Sequence, residues 1–350
     1  MNYIPRVLDK EILAFIEDSQ ANKSILLVEG ARQVGKSFMV EHAIRKSSKK
    51  YFSLNLERET LLRSLIDDCR EFRDFEQLLR DRIGFDANAD QVLFFDEAQE
   101  SRKLGQFVRF MKEYWSRATV ILSGSTLSRL FREETRYPVG RVRQVLLGPL
   151  CFSEFLIAAD QQHLAEAILK EESAITAPRH ERLLSLYDRF ILTGGLPAVV
   201  LADLDKKDYS EVLAQILADY EQDFIRIFGE TDAALVKACF RSVSNFVGGP
   251  SKNTSVMPSP SSHVNARINQ VFARLEAWHL ILRSEQKGPG AEASHSYLPK
   301  RYLFDTGVLR HLREVAVPSI RILGTLAPLA RQPLGGVIEN QIAVELARQG

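Results

Sequence analysis

Ser24-Ile25-Leu26-Leu27-Val28-Glu29, followed at once by Gly30-Ala31-Arg32-Gln33-Val34-Gly35-Lys36-Ser37, is the stretch on which the reading of this chain turns. The first six residues are an apolar run of strand length, the pattern of a strand covered on both faces. The next eight fit GxxxxGK[ST], and they sit where that pattern has physical meaning, between a buried strand and a helix beginning near Lys36. Gly30 and Gly35 let the backbone curl so that the N–H groups from Ala31 through Val34 point inward, while the helix N-terminus adds partial positive charge. Such a cradle holds a phosphate chain. In it, Lys36 reaches the β and γ phosphates and the Ser37 hydroxyl ligates Mg²⁺, so ATP with Mg²⁺ is the expected ligand.

Working outward, Val7 to Ile16 places apolar residues at helical spacing, and residues 51–56, 91–96 and 118–123 repeat the short apolar run. Strands alternating with helical segments predict an α/β fold: a P-loop NTPase core over 1–155, with a parallel sheet flanked by helices. Ligands of such sheets sit at the carboxyl ends of the strands. Phe94-Phe95-Asp96-Glu97 puts two carboxylates at one of those ends. Asp96 is the expected Mg²⁺ ligand, and Glu97 the group that polarises the attacking water. A solvated turn is the plain alternative for both. Ser123-Gly124-Ser125-Thr126 closes another strand, where Ser123 could contact the γ phosphate or orient the water. Downstream lie Arg136, Arg141 and Arg143, of which Arg141 is the candidate to place a guanidinium on the γ phosphate, in cis or from a neighbouring subunit.

Beyond the core the pattern turns helical. Residues 156–246 read as a helical lid and connector, broken by Thr193-Gly194-Gly195-Leu196-Pro197. The Gly-, Pro- and Ser-rich stretch 248–262 reads as a loop. The apolar stripe Ile268, Val271, Phe272, Leu275, Trp278 and Leu280 and the short run Tyr302-Leu303-Phe304 suit a winged-helix-like unit over 247–312, with 313–350 as a further segment.

Composition sets outer limits. With 45% apolar and 26% charged residues the chain has globular proportions, and a formal net charge of +1 is too small for a polycation that coats nucleic acid. The three cysteines, Cys69, Cys151 and Cys239, form no CxxC pair, which argues against zinc and against a disulfide framework. No signal-peptide core or run of eighteen apolar residues occurs, so a soluble, cytoplasmic protein without a membrane span is expected.

The ordered set GARQVGKS, FFDEAQ, ILSGST, Gly140-Arg141 with GPLCFSEFL, TGGLPAVV, PKRYLFDTGVLRHL and GGVIENQIAVEL closely resembles the bacterial and archaeal AAA-type ATPases that carry a DUF4143 C-terminal region. The resemblance runs from about residue 3 to the end. It implies that Asp96 and Glu97 are the Walker B pair, that Ser123 to Ser125 is the sensor strand, and that Arg141 lies in the family's glycine-arginine step. It further implies a winged-helix unit and then a domain resembling restriction-endonuclease folds. Two departures stand out. Pro250, Pro258 and Pro260 fall where the first winged-helix helices belong. The segment from Gly335 to Leu346 looks like the opening helix of the nuclease-like domain, whose later carboxylates and lysine are absent. No nuclease activity is therefore expected, with Glu339 and Glu345 as surface or capping residues.

The leading expectation is an ATPase whose hydrolysis moves its lid and C-terminal unit. A slowly hydrolysing nucleotide-gated switch is one rival. A DNA-associated factor is another, using a basic face formed by Arg267, Arg274, Arg283, Lys287, Lys300, Arg301 and Arg310. A protein partner and a homo-oligomer also stay open, the latter because an arginine acting in trans requires one.

Overall fold

A computed structural model of the chain describes residues 3–18, 24–127, 130–131, 140–170, 175–285, 298–314 and 316–348. It divides into two compact units, 1–147 and 148–350. The boundary falls just before the expected 155, and the three later sequence segments share one unit.

The first unit runs α1 (Asp9–Glu17), β1 (Ile25–Glu29), α2 (Lys36–Lys46), β2 (Lys50–Asn55), α3 (Thr60–Asp68), α4 (Phe72–Ile83), β3 (Gln91–Asp96), α5 (Leu104–Tyr114), β4 (Thr119–Gly124) and β5 (Val142–Leu146). The five strands form one sheet in the order β2-β3-β4-β1-β5, and every neighbouring pair is parallel. This is the predicted parallel sheet flanked by helices.

Every residue of β1 and β4 is buried, as is all of β3 after its first residue, which is why those strands read as unbroken apolar runs. Leu27, Leu93, Phe95 and Leu122 face one cluster with α3, α4 and α5, where Phe75 stacks on Phe107 at 4.8 Å. Alternate residues Leu26, Val28, Phe94 and Ile121 are buried on the other face. β5 is an edge strand with Arg143, Gln144 and Leu146 exposed, so its mixed sequence carried no strand signal.

The second unit is mainly helical: α6 (Phe152–Ala158), α7 (Gln162–Leu169), α8 (Ala177–Thr193), α9 (Pro197–Leu204), α10 (Tyr209–Phe228), α11 (Glu230–Asn245), α12 (Ser262–Ala277), α13 (Thr306–Arg313) and α14 (Pro328–Ala347). An antiparallel hairpin pairs β6 (Ile281–Ser284) with β7 (Lys300–Leu303). Between α11 and α12 there is only a single 3₁₀ turn, Asn253–Ser255, as the prolines there require. Among the described residues no helix is long and apolar enough to cross a membrane.

Two glycine motifs of this unit interlock. Asp305 is buried and its carboxylate accepts the N–H of Gly195 at 2.7 Å and of Val308 at 2.9 Å. A Cβ on Gly194 would stand 2.3 Å from Asp305 Oδ1, and one on Gly307 would stand 2.2 Å from the Thr193 carbonyl oxygen. TGGLP and FDTG are thus two halves of one joint. Burial pushes the Asp305 carboxyl up to about 6, against the opposing pull of its backbone donors. A second joint closes on α6: Arg348 donates to both oxygens of fully buried Glu154 at 3.1 Å. Glu154 in turn accepts the N–H of Cys151 at 2.9 Å, and Glu345 accepts that of Phe152 at 3.2 Å. Glu339 accepts from Lys300 and Tyr302, both at 2.9 Å. Both glutamates of α14 therefore have structural partners within the unit.

Candidate nucleotide site

The loop after β1 is shaped by its backbone. Gly30 has φ 149°, and a Cβ there would stand 2.1 Å from the Leu147 carbonyl oxygen, so conformation and space both demand glycine. Gln33 and Gly35 then take the left-handed conformation at φ 67° and 94°, and α2 begins at Lys36. Arg6, which the sequence gave no reason to single out, lies buried and donates through Nη1 to the Val34 carbonyl at 2.9 Å. Arg32 reaches Glu57 at 3.4 Å.

Lys36 is folded onto its own loop, donating to the carbonyls of Gly30 at 3.0 Å and Ala31 at 2.8 Å. Burial lowers its pKa to about 8, although Glu97 and Asp96 pull it upward.

Asp96 is the point on which the carboxyl edge of the sheet converges. Ser37 Oγ donates to its Oδ2 at 2.8 Å, Asn55 Nδ2 donates to the same oxygen at 2.9 Å, and Ser123 Oγ donates to Oδ1. Strand register explains the meeting: Asn55 pairs with Asp96, and Phe95 with Leu122, which puts the ends of β2, β3 and β4 in one row. Asn55 is held in turn, its Oδ1 accepting the N–H groups of Glu57 at 3.1 Å and Arg58 at 3.0 Å. It was absent from the sequence-based set. The rule that selected Asp96 and Ser123, a polar residue at the carboxyl end of a strand, applies to it equally.

Glu97 follows in the left-handed conformation at φ 49°, an uncommon state for a residue with a side chain. Its Oε2 accepts from Gln99 Nε2 at 2.6 Å. Burial pushes its carboxyl up, while Lys36 and Gln99 oppose the shift. A cation, two carboxylates and two hydroxyls thus meet at one edge of the sheet. Ser37 and Asp96 present adjacent oxygen donors, a set whose chemistry fits a small hard cation such as Mg²⁺.

Arg141 does not join them. Its carbonyl accepts the Ile25 N–H at 2.9 Å, which fixes it at the amino end of β1, and its guanidinium pairs with Glu113 at 3.0 Å. The loop begins at the other end of that strand, on the order of 15 Å away. The expectation that Arg141 touches the γ phosphate in cis is therefore corrected by the parallel register of β5. Arg143 pairs with Glu11 at 2.7 Å, and Arg136 lies outside the described residues.

The expected basic face of the second unit is engaged internally. Arg267 pairs with Asp232, Arg283 with Glu285 at 2.7 Å, Lys300 with Glu339 at 2.9 Å and Arg301 with Glu276 at 2.9 Å. Arg274 lies over the Phe228 ring at 5.0 Å, and Arg310 donates to the Leu192 carbonyl at 2.9 Å. Lys287 lies outside the described residues.

Comparison with known proteins agrees with the first unit. Residues 22–156 match the family model of an AAA domain. Together with the five-stranded parallel sheet and its phosphate loop, this match supports an AAA-type P-loop fold for the first unit. Residues 184–319 match a domain of unknown function, DUF8612, in place of the DUF4143 region that the resemblance named. The fold is similar to that of a Walker-type ATPase of Pyrococcus abyssi, with a TM-score of 0.55, 14% identity, and 89% of this chain and 96% of that one covered. An uncharacterized protein of Haemophilus influenzae is 23% identical over 303 residues, 82% of this chain and 68% of its own length. The Orc1 protein of Aeropyrum pernix, solved with DNA, covers 89% of this chain and 94% of its own at a TM-score of 0.34 and 12% identity, too loose to carry an argument.

Proposed function

We propose that this protein binds ATP with Mg²⁺ and hydrolyses it, and that the change of nucleotide state rearranges the helical second unit. The observation that carries the reading is the convergence of Ser37, Asn55 and Ser123 on Asp96, with Glu97 in the next position. Ser37 and Asp96 would hold Mg²⁺, which when bound neutralises phosphate oxygens. Lys36 turns from its loop carbonyls to the β and γ phosphates, and the loop N–H groups hold the phosphate chain. Ser123 and Asn55 keep the Asp96 carboxylate oriented. Glu97 accepts a proton from the attacking water, a role suited to a buried carboxylate facing a cation.

The test is ATP binding and turnover in Lys36→Ala and Glu97→Gln. Lys36→Ala is expected to lose both, whereas Glu97→Gln retains ATP and loses hydrolysis. Equal turnover in Glu97→Gln and wild type removes Glu97 from the mechanism. A burst of a single turnover with no steady state would instead favour a nucleotide-gated switch.

A further inference from the structure

A residue whose side chain bonds the proposed base received no role from the sequence. Gln99 lies in the 3₁₀ turn Ala98–Glu100, whose backbone is fixed by the Glu100 N–H donating to the Glu97 carbonyl at 3.0 Å. Its side chain is buried, at 9% exposure. The Nε2 end donates to Glu97 Oε2 at 2.6 Å, the short length of a charge-assisted bond. The Oε1 end makes no hydrogen bond among the described residues. It lies instead against the end of β4: a Cβ built on Gly124 would stand 1.9 Å from it.

With Glu97 ionised, this is the orientation that makes the bond. A carboxylate only accepts, so turning the amide over would set oxygen against oxygen. A buried acceptor without a partner is unfavourable, and the bond to Glu97 is the interaction that offsets it. Glycine at 124 is the residue that leaves room. Ser123, its neighbour on β4, donates to Asp96. The strand that touches one carboxylate thus also seats the amide that holds the other.

We propose that Gln99 is a positioning residue of the hydrolytic centre, holding the Glu97 carboxylate in place and referring its position to the end of β4 at Gly124. The inference rests on the reading of Glu97 as the base. It assigns Gln99 no contact with nucleotide. Glu97, in its left-handed backbone conformation, is pulled by the Lys36 charge and held in direction by this amide, so removing the amide frees the carboxylate to rotate away from the water. Crowding the amide from Gly124 has the same result.

The test uses the full-length chain in wild type, Gln99→Met, Gly124→Ala and the double variant, with Lys36→Ala as the background control. Gln99→Met keeps the length of the side chain and removes the amide. It is expected to lower kcat about ten- to hundredfold while the Kd for ATP stays within about twofold of wild type. Gly124→Ala should reproduce that split although it deletes no polar group, and the double variant should be no worse than either single one. Crystal structures of both single variants should show the Glu97 carboxylate turned from its wild-type direction. Unchanged kcat in Gln99→Met, with turnover abolished in Lys36→Ala, overturns the proposal, as does a multiplicative loss in the double variant. If wild type has no turnover above Lys36→Ala, the hydrolytic reading fails by itself. The crystal structures then decide the role of Gln99, and a Glu97 carboxylate that stays in place in both variants overturns it.

Discussion

Gly30 faces Leu147 so closely that a Cβ on it would stand 2.1 Å from the leucine carbonyl oxygen. That carbonyl cannot retreat freely, because the Leu147 N–H donates to the Glu29 carbonyl at 2.8 Å. Gly30→Ala therefore meets both a forbidden conformation and a fixed neighbour. We expect it to destabilise the first unit by about 2–4 kcal/mol, read as a shift of its urea midpoint with unchanged m value.

Lys36 makes nucleotide binding depend on pH. Its folded pKa of about 8 lies below the ordinary 10.5 because burial disfavours the charged form. Bound phosphates restore that charge, so binding above pH 8 should take up a proton, and affinity should fall as pH rises past 8. Calorimetry in buffers of different ionisation enthalpy measures the uptake. Folding has the opposite sign. The contribution of a depressed lysine is fully present above its unfolded pKa and lost as pH falls through about 8, so ligand-free wild type should gain stability over Lys36→Met between pH 8 and 10.5.

Arg141 stands at the opposite edge of the sheet from the phosphate loop, paired with Glu113. Arg141→Ala should leave turnover within about twofold in dilute solution, as for an exposed ion pair. A loss of about a thousandfold at high protein concentration, with wild type falling toward the variant on dilution, would mean that the guanidinium acts across a subunit boundary.

Asp305 joins two glycine turns through its carboxylate. Asp305→Ala leaves several buried N–H groups without an acceptor and should cost about 3 kcal/mol in the second unit, with Asp305→Asn intermediate. The folded pKa of about 6 lies above the ordinary 3.8, so the contribution is fully present below the unfolded value and lost as pH rises through 6. Acidification from pH 7 to 4 should therefore stabilise wild type relative to Asp305→Asn, measured by urea midpoints at each pH.

The first unit was legible where burial is two-sided. β1, β3 and β4 announced themselves as apolar runs, and the rule that ligands gather at strand carboxyl ends picked out Asp96 and Ser123, whose side chains meet. β5 was missed because an edge strand covers one face only and tolerates Arg143 and Gln144. That omission misled the placement of Arg141, since without the strand nothing said which end of the sheet it occupied. Asn55 and Gln99 were hidden for a different reason. Amides carry no charge pattern; the partner of Asn55, Asp96, is distant in sequence, and the partner of Gln99, Glu97, is two residues away but is met only through the 3₁₀ turn that follows β3.

The two joints of the second unit link residues far apart along the chain: Gly195 to Asp305 and Glu154 to Arg348. The first unit needs nothing beyond residue 147 to close its sheet. During synthesis, then, the nucleotide cradle can assemble while the ribosome is still making the second unit, but that unit cannot lock until residue 348 has emerged. Closing loops of that length carries an entropic delay. The nascent protein therefore passes through a stage at which the phosphate cradle is complete and the helices that follow it still await their last partner.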